Sequence, residues 1–251
     1  MTTSCTIRDL ELVRSTESGS FTLRIDAMVL QAADPAQRKI PIMGRSGAGK
    51  STLLNALASM AWQKDGGIQW DFPRAGKSFG WSGNQPLPVR DAHELRRRHF
   101  GFMFQNSSLL PYCSIGDNLI YPQMMIGKKR PEAKHRALEL LRQAFYDPDN
   151  PDYADSLFSR FIHQIAGGER QRVALIQALV NDPCVLFADE PTGSLDHVTR
   201  RTIMNLLYAW AEEREDRLLL WVTHHQNDPR EANVKRYLHV DDNRCEWREL
   251  T

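Results

Sequence analysis

The fold of this chain is decided by Gly44-Arg45-Ser46-Gly47-Ala48-Gly49-Lys50-Ser51-Thr52, which fits the phosphate-binding pattern G-x-x-x-x-G-K-[ST]. Glycines in such a loop let backbone N–H groups turn inward, and the helix predicted to follow adds the positive end of its dipole. The segment at residues 39–43 supplies the preceding strand, although Pro41 is unusual in a central strand. We expect all nine residues to bind nucleotide, with Lys50 reaching the outer phosphates and Ser51 ligating Mg²⁺.

A carboxylate for the metal and a base for hydrolysis follow a second predicted strand. Val185-Leu186-Phe187-Ala188 is wholly apolar, as expected for a strand buried on both faces of a parallel sheet. Asp189 lies at its carboxyl end, where it can hold Mg²⁺ through water, and Glu190 is placed to activate the water that attacks the γ-phosphate. An Asp-Glu pair at a strand end is by itself more often an ordinary turn, so its weight comes from the other motifs.

Composition excludes several classes of protein. The chain has 251 residues, of which 25% are charged and 41% hydrophobic, so it can form one large α/β domain and is neither disordered nor fibrous. A formal net charge of +1 gives no electrostatic reason to expect nucleic acid as the main partner. The run Arg96-Arg97-Arg98 is typical of a solvated helix face.

Cysteine spacing and hydropathy indicate the compartment. The four cysteines have no CxxC pairing or metal-ligand spacing, which is typical of reduced thiols in a cytosolic protein. No window approaches the roughly 18 to 20 apolar residues of a membrane helix, and Met1-Thr2-Thr3-Ser4 offers no signal-peptide core. We expect a cytoplasmic protein that would act at a membrane only from outside the bilayer.

The motif that points to a family is Ile165-Ala166-Gly167-Gly168-Glu169-Arg170-Gln171-Arg172, about a helix's length before Asp189. Together with the phosphate loop it resembles the signature of ATP-binding-cassette ATPases. Three further positions match the cassette pattern in order. Gln105 matches the glutamine that touches Mg²⁺ and water, Ser194-Leu195-Asp196 matches the D-loop, and His224 matches the switch histidine that contacts the γ-phosphate.

The resemblance covers about residues 40–240. Residues 190–196, Glu-Pro-Thr-Gly-Ser-Leu-Asp, are especially similar to cassettes of the lipoprotein-releasing, macrolide-export and cell-division group. The family implies ATP hydrolysis with Mg²⁺ and a head-to-tail dimer, in which the signature of one subunit binds the ATP held by the other. A single cassette therefore implies a second cassette subunit in a homodimer or heterodimer. The residues expected to act in trans are Ala166, Gly167, Gly168 and Glu169.

Two signature positions depart from the family pattern. Ala166 replaces the usual serine, which caps the helix and donates a hydroxyl to the γ-phosphate, and losing a cap costs about 1 kcal/mol. Glu169 replaces the commoner glutamine; a carboxylate there favours the helix dipole but opposes a polyanion if it points inward. We expect a hydrolytically competent site with weakened ATP-driven closure.

The adenine-binding residue is left open by the sequence. Cassettes usually stack adenine on an aromatic residue upstream of the phosphate loop, and the register points near Arg14, which could stack as a cation. Phe21 is the nearest aromatic candidate, and it could equally belong to the core of its own strand.

Periodicity predicts the fold class. Ile203, Leu206, Leu207 and Trp210 share one helix face before the strand at residues 218–223, which is the strand-helix-strand alternation of a parallel sheet. We expect an α/β P-loop NTPase core with a mostly parallel sheet, an N-terminal antiparallel β region and an inserted helical subdomain.

The chain is expected to form a single cassette domain. Its predicted parts are a first core half at residues 1–105, a helical subdomain at 106–165 and a second core half at 166–251. Pro131 can open a subdomain helix. A hairpin is expected at residues 237–248, with Asn243 where cassettes often place glycine.

The leading functional hypothesis is an energy-coupling subunit on the cytoplasmic face of the inner membrane, bound to a separately encoded permease. Residues 109–112, with Tyr121, Met124 and Met125, could line the groove for a permease helix or could belong to the subdomain core. A soluble cassette ATPase acting on nucleic acid or ribosomes and a low-turnover regulatory clamp remain alternatives. The lack of tandem cassettes, coiled coils and large insertions favours the membrane complex.

Overall fold

The computed structural model describes residues 2–16, 19–61, 63–104, 108–193, 195–225, 227–241 and 243–250. Within these ranges the chain forms eleven strands and eight α-helices. The strands are β1 (Ser4–Thr16), β2 (Gly19–Ile25), β3 (Met28–Gln31), β4 (Lys39–Met43), β5 (Asp65–Phe72), β6 (Lys77–Ser82), β7 (Phe100–Met103), β8 (Val185–Asp189), β9 (Leu218–Val222), β10 (Arg236–Asp241) and β11 (Arg244–Glu249). The helices are α1 (Lys50–Leu57), α2 (Val89–Arg98), α3 (Ile115–Met124), α4 (Arg130–Ala144), α5 (Tyr153–Leu157), α6 (Gly167–Leu179), α7 (His197–Glu213) and α8 (Asn227–Glu231).

All eleven strands belong to one mixed sheet in the order β6-β5-β1-β2-β11-β10-β4-β9-β8-β7, with β3 beside β1. Strands β1, β2, β3, β5 and β6 pair antiparallel, whereas β10, β4, β9, β8 and β7 pair parallel. The predicted combination of an N-terminal antiparallel region and a parallel core is confirmed. Because β4, β8 and β9 run parallel, the loops at their carboxyl ends meet at one edge of the sheet.

Pro41 lies in the central strand β4, a position where proline is unusual because it has no N–H to donate. Ile42 O accepts from Thr223 N and Arg38 O accepts from Leu219 N, so the even-numbered residues of this segment bond toward β9. Alternate residues of a strand bond to opposite neighbours, which directs the missing N–H of Pro41 toward β10. The paired register with β10 covers only Ile42 and Met43 on this strand. The proline therefore falls where no ladder hydrogen bond is needed.

The predicted hairpin is formed by β10 and β11, which pair from Arg236 opposite Glu249 to Asp241 opposite Arg244. Asn243 has φ +64°, a left-handed conformation that asparagine tolerates better than most residues. The hairpin also supports the phosphate loop. A Cβ on Gly44 would lie 1.9 Å from Val240 O, so only glycine allows this approach.

The helices α3 to α6 enclose a second core beside the sheet. Its buried residues include Leu119, Ala137, Leu141, Leu157 and Val173. Pro131 lies in the first turn of α4, as predicted, and Ala137 and Leu141 are the buried members of its apolar face. The helix α6 also turns residues such as Leu175 and Ala178 toward α7 and the sheet, so it packs against both cores. No helix in the described ranges is long and apolar enough to cross a membrane.

Candidate nucleotide-binding site

The phosphate loop closes around Lys50, the first residue of α1. Lys50 Nζ donates to Gly44 O at 3.0 Å and to Arg45 O at 2.7 Å, and the residue is only 5% exposed. Burial lowers the pKa of its ammonium group, and the nearby carboxylates of Glu190 and Asp189 oppose that shift. The cation is thus fixed inside the loop, between the backbone carbonyls and the acidic pair.

A metal-binding position lies beside this lysine. The Ser51 side chain hydrogen-bonds to the Asp189 carboxylate, and burial raises the Asp189 pKa despite that bond. Asp189 Oδ1 is buried and has no hydrogen-bond partner among the described residues. Mg²⁺ takes oxygen ligands, so a hydroxyl beside an orphaned carboxylate oxygen fits this ion. Gln105, the third predicted ligand, lies outside the described residues.

The proposed base and the switch histidine are brought into contact across two strand ends. In the ladder, Asp189 lies opposite Val222, which places Glu190 next to the loop that carries His224. His224 Nε2 lies 2.5 Å from Glu190 Oε1. Glu190 has φ +48°, a conformation that L-residues rarely adopt and that is concentrated at functional sites. The two side chains remain partly exposed and can therefore reach a nucleotide.

Behind His224 lies a buried polar network that sequence reasoning missed. Asp228 is 1% exposed; it pairs with Arg200 of α7 and accepts a hydrogen bond from Thr223 Oγ1 at 2.5 Å. Tyr208 Oη donates to Asp228 O at 3.0 Å. Thr223 Oγ1 also accepts from His225 N, so the network holds both neighbours of His224. An aspartate followed by a proline, shortly after a predicted strand, gave no signal in the sequence that could have revealed this network.

The signature helix begins without a side-chain cap from Ala166. That residue has the extended conformation of an N-cap, but its methyl group cannot accept a hydrogen bond. Glu169 Oε2 instead accepts from Ala166 N at 2.8 Å, and Glu169 Oε1 accepts from the Tyr153 hydroxyl. Glu169 thus folds back onto its own helix, which resolves the direction that the sequence left open.

The two signature glycines have different surroundings. A Cβ on Gly167 would meet no atom of the described residues within 4 Å, so this part of the structure leaves that face of the helix open. A Cβ on Gly168 would lie 2.8 Å from Thr199 Cγ2, so Gly168 allows α6 to pack against the start of α7. In the D-loop, Asp196 caps α7 by accepting from Val198 N and Thr199 N. Leu195 is half-buried against the α7 core, and Ser194 lies outside the described residues.

Both adenine candidates lie beside the phosphate loop. Arg14 of β1 is directly opposite Phe21 of β2, and residues opposite each other share a face of the sheet. Phe21 is half-buried, and a Cβ on Gly49 would lie 2.4 Å from its ring. Phe21 therefore packs onto the loop, whereas Arg14 is exposed. Either can face a base, so both remain candidates.

The residues proposed for a permease groove separate into two groups. Leu109 is buried in the subdomain core. Leu110, Tyr112, Tyr121, Met124 and Met125 are exposed, at 51%, 93%, 41%, 42% and 60%, and of these Met125 lines a neighbouring cavity. A cavity of about 240 Å³ lies between the core and the subdomain, lined by Phe102, Phe104, Ser108, Pro122, Met125 and Gln177 among others. We name this cavity the subdomain groove.

Comparisons with known proteins agree with this geometry. Residues 33–193 match the family model for ABC transporters. The chain is 35% identical over 190 residues to the lipoprotein-releasing system ATP-binding protein LolD of Ehrlichia canis (strain Jake), covering 75% of this chain and 76% of that protein. It is 37% identical over 199 residues to the macrolide export ATP-binding/permease protein MacB of Rhodopirellula baltica, covering 77% of this chain and 26% of MacB.

A solved structure is similar over nearly the whole length. It is the ATP-binding cassette MJ0796, in a dimeric post-hydrolysis state bound to ADP and Pi. The TM-score is 0.77 at 25% identity, and the match covers 98% of this chain and 99% of that one. The fold and the nucleotide chemistry therefore have a direct structural counterpart.

Proposed function

This chain belongs to the ABC transporter family, and from that premise we propose that it is the ATP-hydrolysing subunit of a membrane complex, driving a separately encoded permease. Its activity as an ATPase that uses ATP and Mg²⁺ follows from the family. The observation that carries the proposal is the meeting of Lys50, Asp189, Glu190 and His224 at one edge of the sheet. The work done on the permease would be export, lipid or lipoprotein extraction, or mechanotransmission.

Each of these residues has a distinct task in hydrolysis. The phosphate loop and Lys50 bind the β- and γ-phosphates and stabilise the charge that spreads over the transferred oxygens. Ser51 and Asp189, with Gln105, would hold Mg²⁺, which neutralises phosphate charge. Glu190 takes the proton of the attacking water. His224 orients Glu190 and reaches the γ-phosphate.

Hydrolysis is proposed to require a head-to-tail dimer of cassettes. The open face at Gly167 leaves backbone N–H groups at the start of α6 available to a partner's γ-phosphate. The dimeric state of MJ0796 supports a dimer of this chain. A homodimer would supply both the phosphate loop and the facing signature helix from one gene product.

The link to a permease is supported by the subdomain groove. Gln177 of the signature helix lines it, accepts from the Ser108 hydroxyl at 3.1 Å and donates to Asn118 O at 3.2 Å. A helix seated in the groove would therefore press on α6, which carries the signature. LolD matches this chain over most of both lengths, whereas MacB is longer and its name includes a permease part. We therefore propose a peripheral position on the cytoplasmic face of the inner membrane, with nucleic acid an unlikely partner in view of the net charge of +1.

Replacing Met125 with Glu is expected to abolish co-purification with an integral membrane protein, because a carboxylate would have to be desolvated in the groove. The measurement is affinity purification of the tagged chain from detergent-solubilised membranes of the organism that encodes it. Tyr146, which is 79% exposed after α4, provides the control Tyr146→Glu, which should co-purify like the parent. Recovery of only ribosomes or DNA with the parent chain would overturn the membrane assignment.

Replacing Ala166 with Ser is expected to strengthen ATP-driven dimerisation. The new hydroxyl would accept from Glu169 N and complete a reciprocal capping box, worth about 1 kcal/mol. It would also donate to the partner's γ-phosphate, worth about 1.5 to 3 kcal/mol per site for a charge-assisted bond. In a Glu190→Gln background, sedimentation should show that the ATP concentration for half-maximal dimerisation falls by at least about tenfold. Ala75→Ser, at an exposed site on another surface, should change nothing, and no gain at position 166 would contradict the assignment of this helix as the signature.

A further inference from the structure

The signature helix carries a carboxylate close to the face that would bind a partner's ATP. Glu169 lies two residues after Gly167, whose surroundings are open. An acidic side chain so near the proposed triphosphate position would weaken binding of the partner's ATP if it were free to turn outward. The inference rests on the proposed head-to-tail dimer. It concerns the contacts that keep the Glu169 carboxylate from repelling the partner's ATP in that dimer.

Both carboxylate oxygens of Glu169 are occupied by donors of the same chain. Oε2 accepts from Ala166 N at 2.8 Å, and Oε1 accepts from the hydroxyl of Tyr153. The first bond satisfies one of the N–H groups at the start of α6, a group that the missing serine could not have satisfied. The second bond comes from another helix, α5, and fixes the carboxylate from the side.

Tyr153 is itself held in place. Its ring makes an edge contact with Phe145 at 6.4 Å between centroids, and the Arg160 guanidinium lies 5.4 Å from its centroid. The hydrogen bond to Glu169 raises the Tyr153 pKa, so the phenol remains a donor. The segment Asp147-Pro148-Asp149-Asn150-Pro151-Asp152 joins α4 to α5, and Tyr153 is the first residue of α5.

We propose that Tyr153 is a positioning residue that keeps the Glu169 carboxylate on its own helix and away from the γ-phosphate of the partner's ATP. The bond from Ala166 N also satisfies the N–H group of the N-cap residue of α6. The hydroxyl of Tyr153 thereby makes an acidic residue compatible with ATP-driven closure.

The test is Tyr153→Phe in a Glu190→Gln background, with ATP-dependent dimerisation measured by sedimentation. Loss of the hydroxyl frees Glu169, and we expect the ATP concentration for half-maximal dimerisation to rise about tenfold. Raising the salt concentration should shrink this difference, because repulsion between exposed charges is screened. Tyr146→Phe, on the exposed segment after α4, is the matched control and should behave like the parent.

A second variant separates charge from packing. Adding Glu169→Gln to Tyr153→Phe should restore dimerisation, because a neutral amide can still accept from Ala166 N and no longer repels the phosphates. If Tyr153 served only for packing, thermal stability would fall, the added Gln would not rescue dimerisation and salt would have no effect. A parent that dimerises with ATP while Tyr153→Phe is unchanged would overturn this proposal alone. A parent that never dimerises would overturn the head-to-tail arrangement and this proposal with it.

Discussion

Glu190→Gln is expected to lower the ATPase rate by about 10²- to 10⁴-fold, the range that a general base contributes. Glu190 follows the strand that ends at Asp189, it is held in a left-handed conformation, and it contacts His224 at 2.5 Å. An amide keeps this shape and can still meet the histidine, but it cannot take the proton of the attacking water. Steady-state phosphate release should therefore fall while ATP remains bound to the phosphate loop.

The matched control is Glu215→Gln, a substitution of the same chemistry at an exposed position after α7. It should leave turnover at the parent rate. Binding of a fluorescent ATP analogue should be retained by Glu190→Gln, because Lys50 and the loop backbone are untouched. Unchanged turnover in Glu190→Gln would remove this residue as the base and leave the water without an activating group among those named.

The meeting of the proposed catalytic and metal-binding positions could be predicted because each lies at the end of a strand of the parallel sheet. Residues 185–188 are continuously apolar, and such a strand needs a polar residue only where it ends. Parallel pairing then brings the ends together, which is why Asp189, Glu190 and His224 meet although the chain separates them. The sheet topology converts a pattern along the sequence into a site in space.

Side-chain partners on different helices could not be predicted in this way. Tyr153 and Glu169 belong to separate helices, and their contact depends on the angle at which α5 meets α6. No periodicity encodes that angle. The same limit explains why the sequence left open whether Glu169 favours the helix dipole or faces the phosphates. In the structure it bonds to Ala166 N at the start of its own helix, and the bond from Tyr153 was not predicted.

Position 168 illustrates a further limit. Both signature glycines were expected to serve close approach to a partner's nucleotide. The structure shows that Gly168 also packs within the chain, because a Cβ there would lie 2.8 Å from the Thr199 Cγ2 methyl. A motif identifies which residues matter, but it does not separate a binding requirement from a packing requirement when both select the same small residue.

Asp228→Ala is expected to reduce the free energy of unfolding by about 3 to 5 kcal/mol, the cost of leaving a buried charge without its partner. Asp228 is 1% exposed, and its removal strands the Arg200 guanidinium and the Thr223 hydroxyl. Urea unfolding gives this quantity directly. Asp149→Ala, at an exposed position of the loop before α5, should change stability by less than about 0.5 kcal/mol.

The same change should also reduce turnover, and a double variant shows why. Arg200 lies in α7, four residues after the D-loop Asp196, and Thr223 directly precedes His224, so Asp228 ties the D-loop helix to the switch histidine. Replacing Arg200 and Asp228 together with Leu removes both buried charges, so the double variant should lose much less stability than the sum of the two single losses. ATPase activity should stay low in that variant, because Thr223 has still lost the acceptor that fixes the loop before His224. Full recovery of both stability and turnover would mean that the pair serves folding alone, and that His224 is positioned without it.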